Sequence, residues 1–136
     1  LFEGSGGYAA GEQRRDFVSI EDVVKVNLDF LDHPERNGIF NIGTGKAATY
    51  NEVAAATINA CRASAGEARR SVAELVAAGT ISYMPFPPAL AGRYQSFTEA
   101  NLARLRAAGY GAPMLGIDEG VARYVERLIS GASSSA

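Results

Sequence analysis

Two glycine-rich stretches set the limits on how this chain can fold. Residues 4–11 are small and flexible and read as a loop, whereas 38–45 enclose Ile39, Phe40 and Ile42 and read as a strand with turns. Between them, Arg15 to Ile20 has the aromatic and β-branched character of a short strand. Ile20, Val23, Val24, Leu28 and Leu31 then recur at helical spacing and define one inward stripe. Pro34 disfavours the α conformation in the residue before it, so this helix is expected to stop at His33. Val26 and Phe30 fall off that stripe, which makes the helix read as built to touch more than this lobe supplies.

Two capping boxes follow. Thr49-Tyr-Asn-Glu52 opens a helix whose apolar face is Tyr50, Val53, Ile58 and Cys61, and Ser71-Val-Ala-Glu74 opens a shorter one. Ile81 to Phe86 reads as a strand closed by Pro87 and Pro88. Thr98 to Ala108 reads as a helix stopped by Gly109, and Ile117, Val121, Tyr124, Val125 and Leu128 mark the face of a last helix. The expected division is one domain over 1–130 and a disordered tail over 131–136. Strands alternating with helices favour an α/β fold over a helical bundle or a β-sandwich, but the strands are too few for a complete doubly wound sheet.

A chain of 136 residues is long enough for a real core. The formal charge of −2, from 13 basic and 15 acidic residues, gives no surplus of positive charge for a phosphate backbone, so no nucleic acid is expected as partner. No apolar run approaches the roughly 20 residues of a bilayer-spanning helix, and no membrane is expected either. A single cysteine cannot form an internal disulfide, which fits a cytoplasmic setting. The first residue is Leu1 and nothing after it resembles a targeting segment, so the sequence reads as cut from something longer.

Five stretches together carry a resemblance: Leu1-Phe-Glu-Gly-Ser5; Arg15-Asp-Phe-Val18 with Asp22-Val23; Phe40-Asn-Ile-Gly-Thr-Gly45; Pro85-Phe-Pro87 with Gly92-Arg-Tyr-Gln95; and Leu105-Arg-Ala-Ala-Gly-Tyr110. In order and spacing they resemble the extended short-chain dehydrogenase/reductase family of nucleotide-sugar epimerases, most closely its ADP-heptose 6-epimerase branch. The Arg-Asp-Phe-Val and Asn-Ile-Gly-Thr-Gly pieces mark the superfamily. The Phe2 to Ser5 and Gly-Arg-Tyr-Gln pieces mark the branch. Three features depart from the pattern: a longer loop from Gly6 to Arg14, Ala91 where a basic residue is common, and Arg127 where a Trp is frequent.

The resemblance implies the C-terminal substrate-binding lobe of such an enzyme, lacking the N-terminal Rossmann domain. It implies a parent that inverts C6 of ADP-glycero-manno-heptose with NADP, for lipopolysaccharide inner-core synthesis. It further implies that the partners are the ADP-heptose nucleotide sugar, the chain's own Rossmann domain and other copies in a homo-oligomer, a pentamer by resemblance. The catalytic machinery itself is not in this sequence. Gly43-Thr-Gly45 lacks the third glycine of a dinucleotide fingerprint, and no tyrosine is followed four residues later by a lysine, the only lysines being Lys25 and Lys46. No catalytic residue, cofactor or metal is therefore expected on this segment, which should be inert alone.

What remains is recognition. A planar guanidinium can bind two oxygens of a pyrophosphate, and the resemblance makes Arg15 the first candidate. On the residues alone, Arg15 reads first as a surface partner of Asp16 or Glu12, and only the resemblance turns the reading to a ligand. Tyr94 is the second candidate, an aromatic face with a hydroxyl at its tip, the alternative being a half-buried loop tyrosine. Phe2, Glu3, Gly4 and Ser5 resemble the family's substrate-contacting strand and turn. Arg93 reads as a solvated loop residue, His33 as a surface histidine at a helix end and Cys61 as core. Two other readings stay open: an epimerase or dehydratase acting on a UDP- or dTDP-sugar, and a free-standing binding module with no catalytic function.

Overall fold

A computed structural model describes residues 1–133. Its regular elements are β1 (Arg14–Arg15), α1 (Ile20–Asp32), β2 (Ala48–Thr49), α2 (Tyr50–Ser64), α3 (Val72–Ala77), α4 (Ala103–Ala107) and α5 (Ile117–Ser133), with a single 3-10 turn at Pro88–Leu90. β1 and β2 form an antiparallel ribbon in the register Arg14 to Thr49 and Arg15 to Ala48. Helix and strand are thus mixed, as expected, but helices carry most of the regular structure.

Local signals that are self-contained form as the sequence predicts. Ser19 caps α1 by accepting the Glu21 N–H, and the helix ends at Asp32 with His33 as its C-cap, just ahead of Pro34. Both capping boxes form: Thr49 with Glu52 at the start of α2, and Ser71 with Glu74 at the start of α3. Each such cap stabilises its helix by about 1 kcal/mol.

The expected strands are shorter than their sequences suggest, because a strand exists only where a ladder partner does. Of Arg15 to Ile20 only Arg15 pairs, joined by Arg14 just before it; beyond them Asp16 turns its carboxylate to a loop. Residues 39–43 join no ladder, with Ile39 83% exposed. Within Ile81 to Phe86 a lone parallel bridge joins Met84 to Phe2. The helix expected over Thr98 to Ala108 is reduced to α4, because the Thr98 N–H is drawn to the Arg14 carbonyl at 3.1 Å and the Ala100 N–H to Asp16 at 3.0 Å. At the end of the chain, α5 continues through Ser133, into the stretch expected as a tail; residues 134–136 of that stretch lie outside the described residues.

The core has two parts. Val26, Leu105 and Tyr110 are buried together, with Phe30, Phe40, Ile42, Leu102 and Met114 against them. Ala55, Leu75 and Ile81 form the other, flanked by Ala54, Ile58, Val72 and Tyr83. This reverses the expectation for α1. Val26 and Phe30, read as lying off the inward stripe, face the core, whereas Ile20, Val24, Leu28 and Leu31 are exposed, Leu31 at 74%. The helix has apolar residues on two faces, and periodicity alone does not say which is inside. Cys61 is likewise exposed rather than core. It lies two residues past buried Asn59, and residues two apart do not share a helix face.

Polar groups lock the helices to the loops. Asp22, fully buried at 0% exposure, accepts the Leu115 N–H at 2.6 Å and the Lys25 ammonium at 3.3 Å, tying α1 to the approach to α5. Glu21 receives Arg123 at 3.0 Å and Arg127 at 2.7 Å, so both arginines hold α5 to α1.

Candidate functional site

The ribbon sets out the site. Because Arg14 pairs with Thr49, the start of α2 lies beside the segment from Gln13 to Phe17, and the Tyr50 N–H donates to the Gln13 carbonyl at 3.3 Å. On its other side β1 meets the segment after the prolines: the Arg14 N–H donates to Ser96 at 2.8 Å, which brings the Gly-Arg-Tyr-Gln stretch alongside. The amino-terminal residues run next to Met84, with Glu3 N–H to Met84 carbonyl at 2.9 Å and Met84 N–H to Leu1 carbonyl at 2.8 Å. Four distant parts of the sequence meet here.

They enclose a cavity of about 300 Å³ lined by Leu1, Phe2, Gln13, Tyr50, Met84 and Tyr94. Phe2, Phe86 and Tyr94 pack edge to face around it, with ring centroids 5.5 Å apart for Phe2 and Phe86 and 5.4 Å for Phe86 and Tyr94. The Arg15 guanidinium lies over the Tyr94 ring, 5.2 Å from its centroid. Such a stack is worth ~1–2 kcal/mol when desolvated. Gln13, only 2% exposed, holds the Glu3 carbonyl with its side-chain amide at 3.1 Å.

Three of the residues singled out from sequence, Phe2, Arg15 and Tyr94, therefore come together. Glu3, Gly4 and Ser5 do not line the cavity; they lead from Phe2 into the loop that returns at Gly11, whose N–H donates to the Phe2 carbonyl at 3.0 Å. Gly4 has a steric reason to be glycine, since a Cβ there would collide with the Tyr8 carbonyl oxygen. Arg93 is exposed, as expected.

Arg15 is not the surface ion pair that its neighbours suggested. Among the described residues it forms no salt bridge, and its Nη1 is buried with no hydrogen-bond partner. Glu12 instead accepts the Asn51 side-chain amide at 2.6 Å. Asp16 accepts the Thr44 hydroxyl at 2.6 Å, the Thr44 N–H at 2.7 Å, the Gly45 N–H at 2.9 Å and the Ala100 N–H. Partial burial pushes its pKa up, but these hydrogen bonds outweigh that and hold it below the ordinary aspartate value. A guanidinium with an unpaired buried N–H and both adjacent carboxylates engaged elsewhere has the charge and the free donor that an anionic ligand requires.

The same contacts test the chain against a dinucleotide. A phosphate held by a glycine-rich turn needs free N–H groups, and those of Thr44 and Gly45 are already given to Asp16. Gly43 is glycine for packing: a Cβ there would come within 2.6 Å of both Ala100 and Asp16. The Gly43 to Gly45 turn therefore does not fit a cofactor pyrophosphate. No cluster of three metal-ligating side chains is found among the described residues, and His33 turns its Nδ1 to the Asp29 carbonyl at 2.7 Å.

Four lining residues are not among the sequence candidates: Leu1, Gln13, Tyr50 and Met84. Tyr50 reads in sequence as part of the apolar face of α2 and Gln13 carries no signal; both are placed by the ribbon register, and Leu1 and Met84 by their mutual main-chain pairing, which pattern alone does not reveal.

Residues 6–43, from the loop through Arg15 and α1 to Gly43, match the NAD dependent epimerase/dehydratase family. The chain is also 58% identical over 129 residues, 95% of its length, to the ADP-L-glycero-D-manno-heptose-6-epimerase of Thiobacillus denitrificans. The resemblance drawn from the five motifs is thereby borne out. The chain spans 39% of that relative's length. No helix of the described residues is long and apolar enough to cross a membrane.

Proposed function

We propose that this chain is the substrate-binding lobe of an NADP-dependent epimerase that inverts C6 of ADP-glycero-manno-heptose for the lipopolysaccharide inner core, and that it holds the nucleotide sugar in the Phe2, Arg15 and Tyr94 cavity. The observation that carries this reading is Arg15: a cation with a buried N–H left unpaired, stacked on Tyr94, whose ring lines the apolar cavity. In this reading the guanidinium meets diphosphate oxygens while the Phe2, Phe86 and Tyr94 rings offer flat apolar contact. Glu3, with its N–H and carbonyl engaged by Met84 and Gln13, and Gly4 continue from Phe2 as the support of the site, and the Ser5 hydroxyl is the group of this turn assigned to the sugar. Hydride and proton transfer belong to the Rossmann domain of the parent, since the glycine turn here is closed to a pyrophosphate. On this reading the lobe alone is catalytically silent, and the working enzyme is a cytoplasmic homo-oligomer. The 58% identity to an enzyme named for ADP-heptose favours that substrate over UDP- or dTDP-sugars.

The test is steady-state kinetics of the full-length protein that contains this chain, with ADP-heptose as substrate. Arg15→Ala is expected to raise KM by roughly tenfold or more, the cost of losing a hydrogen bond to a charged group. An unchanged KM, or turnover of a UDP- or dTDP-sugar in place of ADP-heptose, would overturn the reading.

A further inference from the structure

Gln13, immediately before β1, is 2% exposed and yet lines the cavity. A glutamine side chain has donors on Nε2 and an acceptor in Oε1, and burial penalises either one left unmet. The Glu3 carbonyl can only accept, so the 3.1 Å contact with it fixes the amide with Nε2 toward Glu3. Turning the amide over would set oxygen against oxygen. Glu3 is itself held, its N–H donating to the Met84 carbonyl at 2.9 Å. Oε1 is thereby left as the free end of the amide, and among the described residues it receives no hydrogen bond. Unlike Nη1 of Arg15, it is not sealed inside the protein. The open space beside Gln13 is the cavity.

We infer that Gln13 is a specificity-determining residue: its Oε1 accepts a hydrogen bond from an amino group on the base of the nucleotide held in the cavity. This rests on the reading of the cavity as the nucleotide-sugar site. A space of about 300 Å³ walled by Leu1, Phe2, Met84 and the rings of Tyr50 and Tyr94 suits a flat heteroaromatic ring. A hydroxyl-covered sugar there would leave most of its donors and acceptors unmet. In adenine the exocyclic amino group is the donor. A base with an oxygen in that place would bring lone pair against lone pair, and the amide cannot turn to suit it without giving up Glu3. The preference for one base is thus anchored in the main chain next to Phe2.

The experiment measures competitive inhibition constants in the full-length protein that contains this chain, with ADP-heptose turnover as the signal and the nicotinamide cofactor saturating. The probes are ADP and purine riboside diphosphate, which lacks only the amino group. The wild type should bind ADP about five- to a hundredfold more tightly, the cost of stranding a buried acceptor. Gln13→Met keeps the length of the side chain but removes the acceptor, and should shrink that ratio to within about twofold. Gln13→Asn, a methylene too short to hold Glu3 and reach the base together, should shrink it as well. A glutamine that served only to hold Glu3 would weaken both probes alike in these variants and leave the ratio unmoved, which would overturn the inference. Equal binding of the two probes by the wild type would also overturn it, in a comparison that needs no variant to fold. If Arg15→Ala leaves both constants unchanged, the nucleotide does not occupy this cavity and the site itself fails. An absent preference with the Arg15 dependence intact strikes Gln13 alone.

Discussion

The carboxylate of Asp16 receives both the main-chain N–H and the hydroxyl of Thr44, at 2.7 and 2.6 Å, across 28 residues of sequence. Those two donors share Oδ1, and Gly45 and Ala100 give their N–H groups to the other oxygen, Oδ2. One side chain therefore fastens the glycine turn to the segment before α4, immediately next to Arg15. Asp16→Asn keeps the shape but replaces an acceptor of four donors by a group with a single acceptor oxygen. It should destabilise by about 1–3 kcal/mol in urea denaturation, the cost of leaving partly buried donors unpaired.

Asp16 also makes stability depend on pH. Its folded-state pKa is lowered, so its contribution is complete above the unfolded value, about 3.9, and is lost as pH falls through the folded value. Acid titration of the melting temperature should show the wild type losing stability below about pH 4 more steeply than Asp16→Asn. Parallel acid limbs would count against this assignment.

Gly11 adopts φ +69°, and a Cβ on it would run into the side chain of Asn51, which itself holds Glu12 and the Tyr83 hydroxyl. Gly11→Ala combines a left-handed conformation with a collision. A loss of more than about 1 kcal/mol is expected, against the gain that alanine brings at compatible glycines. Gly66, also at positive φ but with open space around it, provides the control for the conformational part alone.

The two apolar faces of α1 should respond differently. Val26→Ala removes packing against Leu105 and Tyr110 and should cost about 1–3 kcal/mol. Leu31→Glu, at a site 74% exposed, should change the stability of the isolated chain by less than about 0.5 kcal/mol. Thermal denaturation of both variants decides this; a large loss at Leu31 would mean that the face is covered.

Thr49 connects fold to site, since it caps α2 and pairs with Arg14. Thr49→Ala should destabilise by about 1 kcal/mol through the lost cap. In the full-length protein it should also weaken substrate binding, because Tyr50 and Arg15 are set by the same two strands. Thr49→Ser should restore both.

How much of this was legible beforehand depends on the distance over which each feature is determined. The boxes at Thr49 and Ser71 and the end of α1 at Pro34 are decided within four residues, and they form as read. The face of α1 that turns inward depends on Leu105 and Tyr110, nearly eighty residues away, so two apolar stripes at helical spacing could not be ranked. The 39–43 segment has strand composition but no ladder partner in this chain. Arg15 and Tyr94 were found through their motifs, and the stack between them was not. Gln13 and Tyr50 enter the cavity only because Arg14 pairs with Thr49, a register that neither residue announces.

The hydrogen bond from Gly11 to Phe2 closes the glycine-rich loop on itself. Its stem is fastened, and the stretch between can bulge outward by a residue or more without dragging either end. Extra length between Gly6 and Gly11 is therefore expected to form an excursion rather than a rebuilt site. Where evolution or an engineer needs a place for added residues close to the cavity, a tag or a reporter, this neck offers one that leaves Phe2 on one side and Arg15 on the other undisturbed.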